Sequence, residues 1–97
     1  MSRPQPLDQE TLFKLVKALT RKGFYTLTTH AEKRMEERNF TRDEIEYILL
    51  HPSIVIGTPR YDNEYKTYKY RIQGEETERS IVITIDFDDL MLIITVI

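Results

Sequence analysis

The chain has 97 residues, 40% of them hydrophobic and 31% charged, with a net charge of −2 and no cysteine. That length favours one compact domain with one core and leaves little room for a large internal cofactor site. Disulfides, thiolate nucleophiles and cysteine-based zinc centres are excluded, and the slightly acidic total is not that of a strongly basic nucleic-acid binder. The charge is unevenly spread, however. Residues 1–71 sum to +3 and residues 72–97 to −5, so a basic face can coexist with an acidic total.

The opening MSRPQPLDQE lacks the apolar core of a secretory signal. The long apolar run near the C terminus is too short for a membrane span and is interrupted by Asp86, Asp88 and Asp89. A cytoplasmic protein with no membrane association is expected. Residues 1–7, which include Pro4 and Pro6, read as a flexible leader to a single domain spanning 1–97. Asp8 can cap a first helix whose Leu12, Leu15, Val16 and Leu19 form one apolar stripe. Arg21, Lys22 and Gly23 fit its end, with cations near the negative pole and then glycine. Phe24 to Leu27 is short and β-prone. Thr28 or Thr29 can cap a second helix over about 30–39. Thr41 and Glu44 have the spacing of a capping box and open a third helix, with Ile45, Ile48 and Leu49 as its buried stripe. Pro52 stops that helix, because proline cannot continue the hydrogen-bond ladder.

Beyond Pro52 the hydrophobic period shortens to two. Ser53–Thr58 reads as a strand and Pro59–Glu64 as a turn. Tyr65–Gln73 alternates, with Tyr68, Tyr70 and Ile72 on one face and Thr67, Lys69 and Arg71 on the other. Gly74–Glu78 is a polar connection, Arg79–Phe87 a strand, Asp88-Asp89 a tight turn and Leu90–Ile97 the last strand. If Phe87 and Leu90 flank that turn, Ile81, Ile83, Ile85, Leu92, Ile94 and Val96 face the core. Met91, Ile93, Thr95, Thr84 and Asp86 then share the opposite face with Lys69 and Arg71. The expected architecture is α+β, with N-terminal helices packed on a roughly four-stranded antiparallel sheet.

Residues four apart on a helix are neighbours, so His30, Arg34 and Arg38 form one ridge about two turns long. The positive pole of the helix disfavours an imidazolium at His30, and a neutral imidazole can accept a proton. Two guanidiniums beside it can grip a phosphodiester. The set suits transesterification of RNA with neither metal nor cofactor: a base takes the 2′-OH proton and cations stabilise the phosphorane. The competing interpretation is a solvated helix face, with Arg34 or Arg38 paired to Glu32, Glu36 or Glu37 or to an Asp or Glu of the third helix. Lys69 and Arg71 are the candidate RNA-binding residues of the tyrosine-rich strand. Thr95 interrupts an apolar strand and either bonds locally or lines a site. His51, just before Pro52, fits a helix end better than a site. Asp86, Asp88 and Asp89 fit a turn better than a metal centre.

The segment HAEKRMEER resembles the HAxxRMxxR signature of small bacterial domains of unknown function, and IITVI resembles their closing strand. The resemblance covers about residues 28–97. It implies a RelE- or barnase-like fold shared with BrnT-like and colicin-type ribonuclease toxins. It also implies a metal-independent endoribonuclease without a cofactor, whose partners are RNA and an antitoxin-like protein. Under that resemblance His30, Arg34, Arg38 and Thr95 are the catalytic positions. The net charge of −2 departs from the basic composition common among such toxins. The alternative is a non-catalytic interaction domain, as a homodimer or with another small protein. Its support is that Met91, Ile93 and Ile97 would lie opposite the core and need cover.

Overall fold

The computed structural model describes residues 5–86 and 89–97. Three helices come first in the broad order. α1 (Gln9–Lys22) starts at Asp8, whose carboxylate accepts the Thr11 N–H at 2.7 Å, and ends at Gly23 in the left-handed conformation, φ 75°. β1 (Tyr25–Leu27) follows. α2 (Thr29–Arg38) is capped by Thr28 and closed by left-handed Asn39. α3 (Arg42–Leu50) opens on the expected capping box: Thr41 accepts the Glu44 N–H, and the Glu44 carboxylate accepts the Thr41 N–H. His51 takes the C-cap and its ring lies 4.9 Å from that of Tyr47.

The remaining strands are β2 (Pro52–Val55), β3 (Arg60–Asp62), β4 (Thr67–Gly74), β5 (Ser80–Ile85) and β6 (Met91–Val96). The fold is α+β, as expected, but the sheet is six-stranded and mixed rather than four-stranded and antiparallel. Its order is β1-β6-β5-β4-β2, with β3 also on β4. Two short strands account for the difference. β1 pairs in parallel with β6, Tyr25 opposite Met91 and Leu27 opposite Ile93. The helices that follow β1 supply the long connection that a parallel pairing needs. β3 lies inside the segment expected to be a turn, and it forms a hairpin with β4 in which Arg60 opposes Lys69. Asp62 closes that hairpin by accepting the N–H groups of Glu64 and Tyr65 at 2.8 and 3.0 Å.

The helices cover one sheet face. Leu12, Val16 and Leu19 of α1 and Ile45, Ile48 and Leu49 of α3 are buried with Tyr70, Ile72, Ile81, Ile83, Met91, Ile93 and Val96. Burying a side chain of this size is worth about 1.5–3 kcal/mol relative to exposure, so this face dominates stability. α3 crosses β4 at Gly74, where an added Cβ would stand 2.9 Å from the Ile48 Cγ1. The facing of β6 corrects the simple alternation. Met91 and Ile93 are fully buried in the core, opposite Ile85 and Ile83, while Leu92 and Ile94 are half-buried on the other face. The register sets Val82 opposite Thr95 but Ile83 opposite Ile93, so Ile94 is the extra residue of a bulge. The bulge returns Val96 to the core opposite Ile81 and keeps Thr95 out of it. The expected alternation takes its phase from Phe87, which with Asp88 lies outside the described residues. Met91 and Ile93 are therefore core residues, Ile97 is exposed, and Leu92 and Ile94 are the apolar residues of the hairpin that face away from the helices.

Candidate nucleic-acid interface

The helix-free face of the sheet is built by the second half of each strand's alternation. Tyr70 and Ile72 turn inward, so Lys69 and Arg71 turn outward. In register with them stand Arg60 on β3, Val82 and Thr84 on β5 and Thr95 on β6. All of these but the fully buried Thr84 line a concavity of about 460 Å³ whose wall is Arg60, Lys69, Arg71, Thr95 and the Ile56–Thr58 loop, and whose floor is Val82 and Ile94. The bulge lets Ile94 and Thr95 both reach it. That volume is in the usual range for ligand sites, about 300–1,000 Å³.

Three cations and no carboxylate are among its lining residues. Each cation is held differently. Lys69 pairs with Asp62 at 3.2 Å. The backbone N–H of Tyr65, and then Lys69, hold the Asp62 carboxyl below its usual range, so it stays ionised and keeps its grip. Arg71 donates its Nε–H to the Ser80 hydroxyl at 2.9 Å. Among the described residues neither Arg71 nor Arg60 meets a carboxylate. The hydroxyl of Thr95 makes one long contact, 3.4 Å to the Val96 carbonyl, and is half-buried.

The expected ridge sits on α2, outside the lining of this concavity. α2 packs along β6, the strand that carries Thr95. Thr28 makes the joint: its hydroxyl accepts the Ala31 N–H and donates toward the carbonyls of Ile93 and Ile94, each at 3.0 Å. Ala31 is the fully buried contact of the helix. Glu32, Met35 and Glu36 line a separate groove with Phe40 and Arg42, on the side toward α3. Each helical residue turns about 100°, which places His30 and Arg34 on the opposite flank, away from the helical layer. His30 is exposed, and Arg38 meets no carboxylate among the described residues. Arg34 reaches Glu37 at 3.4 Å through one terminal nitrogen, and its buried Nε has no partner. The carboxylates of α2 therefore occupy only part of one arginine.

The structure thus brings Lys69, Arg71 and Thr95 to one concavity and leaves His30, Arg34 and Arg38 on α2, outside its lining. Arg60 also lines the concavity, from a strand inside the segment that the sequence pattern gives as a turn. The signal for it is Arg60 and Asp62 on alternate positions just before the Asp62-Asn63 turn, the pattern of a second hairpin arm. His51 stays at the helix end, away from the concavity.

Fold and site together define a small α+β domain, helical on one sheet face and cationic in a concavity on the other. Residues 27–97 match the family described as Domain of unknown function (DUF4258), and the chain belongs to that family. α1 precedes the matched region, as the motif resemblance anticipated. No curated protein and no solved structure matches the chain significantly.

Proposed function

We propose that the protein binds RNA on the helix-free face of its sheet and cleaves it as a metal-independent endoribonuclease of the ribonuclease-toxin type. The observation that carries this reading is the concavity itself. Arg60, Lys69 and Arg71 converge in it without a carboxylate in its lining, and both guanidiniums are free of ion pairs among the described residues. Guanidinium forks match the paired oxygens of a phosphodiester. The apolar floor of Val82 and Ile94 accepts a ribose or base.

In this reading His30, on α2 outside the lining of the concavity, is the proton acceptor. It takes the 2′-OH proton, the 2′-oxygen attacks the neighbouring phosphorus, and the bond to the 5′-oxygen breaks. That oxygen leaves with a proton from solvent, and the other fragment ends in a 2′,3′-cyclic phosphate. Arg34 and Arg38 carry charge on the phosphorane, and Thr95 hydrogen-bonds a phosphate oxygen. Removing a general base of this kind costs about 10²–10⁴-fold in rate.

The test is cleavage of end-labelled RNA in EDTA by the wild type, His30→Ala and Arg71→Ala. The expected result is cyclic-phosphate products from the wild type, their loss in His30→Ala and weakened binding in Arg71→Ala. Equal cleavage by all three, or no binding of RNA by the wild type, would overturn the reading.

A further inference from the structure

We infer that Ser80 is a positioning residue for Arg71, fixing its guanidinium as a preformed phosphate fork. This rests on the RNA reading above and adds to it which cation is pre-organised and by what. Ser80 opens β5, and its hydroxyl accepts the Arg71 Nε–H at 2.9 Å. The residue is 1% exposed. Its own backbone is fixed on both sides: it pairs with Gln73 on β4, and its carbonyl accepts the Ile97 N–H at 3.0 Å. The acceptor is therefore held by the sheet and shielded from water, which would otherwise compete for the bond.

The register explains the direction in which Arg71 lies. The Cα partner of Arg71 is Val82, and Ser80 is its diagonal neighbour two residues earlier on the adjacent strand. To reach Ser80 the side chain, although exposed, leans toward the start of β5. The bond occupies Nε alone. Both terminal nitrogens remain without a protein partner among the described residues while Arg71 lines the concavity. The guanidinium is planar, so fixing Nε also restricts the plane in which the two terminal groups present their hydrogens.

The other two cations lack this arrangement. Lys69 is held by a carboxylate, which fixes it but offsets its charge. Arg60 keeps its full charge but has no hydrogen bond or ion pair to orient it among the described residues. Arg71 alone of the three combines full charge with a neutral anchor. Pre-organisation of this kind raises affinity by cutting the ordering cost of binding.

The experiment measures affinity of the full chain for a labelled single-stranded RNA by fluorescence anisotropy, with melting temperature as a folding control. The proteins are the wild type, Ser80→Ala, Arg71→Ala, the double variant and Arg71→Lys, which keeps the charge but has no Nε–H. Ser80→Ala should weaken binding about three- to ten-fold, the range expected when one long side chain must be ordered on binding. In the Arg71→Ala background Ser80→Ala should cost nothing further, and Arg71→Lys should lose at least as much as Ser80→Ala. If Arg71→Ala weakens binding but Ser80→Ala does not, or if the two losses multiply in the double variant, the positioning role is overturned while the RNA reading stands. If Ser80→Ala fails to fold, wild-type affinity in Arg71→Lys overturns the inference instead. Unchanged affinity in Arg71→Ala would overturn the RNA reading itself.

Discussion

Replacing Thr28 with valine would remove one hydroxyl from the joint between α2 and the sheet while keeping the side-chain shape. The hydroxyl accepts the Ala31 N–H at 3.0 Å and donates toward the carbonyls of Ile93 and Ile94 at the bulge. Loss of an N-cap acceptor costs about 1 kcal/mol. Loss of the donated bond, counted once because the group has one proton, adds about 1 kcal/mol. The expected destabilisation is therefore about 2 kcal/mol. In a domain of this size that corresponds to a fall of about 8–16 °C in melting temperature. Thermal and urea unfolding followed by circular dichroism would measure it, with Thr28→Ser as the control that restores the hydroxyl. A loss below about 0.5 kcal/mol, or an equal loss in Thr28→Ser, would refute the idea that one hydroxyl ties helix, bulge and strand together.

Gly74→Ala should destabilise by about 1–3 kcal/mol, because the new methyl stands 2.9 Å from Ile48 Cγ1 and 3.3 Å from the Ile48 backbone; denaturant titration would measure it. Asp62→Asn keeps the acceptor for Glu64 and Tyr65 but frees Lys69, so RNA should bind a few-fold more tightly in an anisotropy titration. The folded-state carboxyl of Asp62 titrates below its ordinary value, chiefly through the Tyr65 N–H. Its stabilising contribution is therefore complete above about pH 4 and is lost as pH falls through the lowered value. The asparagine variant should lack that acid-dependent loss in melting scans between neutral and strongly acid pH. Three cations in the concavity predict a log–log salt slope of about −2 for single-stranded RNA, at about 0.7 per phosphate neutralised, and Arg60→Ala should make it shallower by about 0.7.

What the sequence carries most legibly is local. Asp8, Thr28 and the Thr41–Glu44 box act within a turn of their own helices, so their spacing suffices to place them. The strict alternation of β4 likewise sets Lys69 and Arg71 apart from Tyr70 and Ile72. Illegible features depend on partners far along the chain. β1 is three residues long, and only the free edge of β6 makes it a strand. The bulge at Ile94 lies just past that meeting, where β1 has ended at Leu27 and the Thr28 hydroxyl reaches the carbonyls of Ile93 and of Ile94 itself. Period-two counting has no means of seeing an inserted residue, so it reversed Met91 and Ile93. The ridge on α2 shows the other limit. Spacing fixes that His30, Arg34 and Arg38 share a side, but only packing against β6 and α3 decides which way that side turns.

The acidic total is compatible with an anion site because the charges are sorted by place. Glu32 and Glu36 line the groove between α2 and α3, and Glu75 and Glu76 lie in the connection beyond Gly74. At about 3.3 Å per residue along β4, Glu75 stands roughly 13 Å from Arg71. That exceeds the screening length of about 8 Å at physiological salt. A phosphate in the concavity is governed by Arg60, Arg71 and the Lys69–Asp62 pair, and little by the sum over the chain. Replacing Glu75 and Glu76 by lysine would move the net charge from −2 to +2. At physiological ionic strength that change should shift RNA affinity less than Arg71→Ala does, although it alters the total four times as much. A larger effect from the two distant lysines would mean that bulk charge, and not the concavity, holds the RNA.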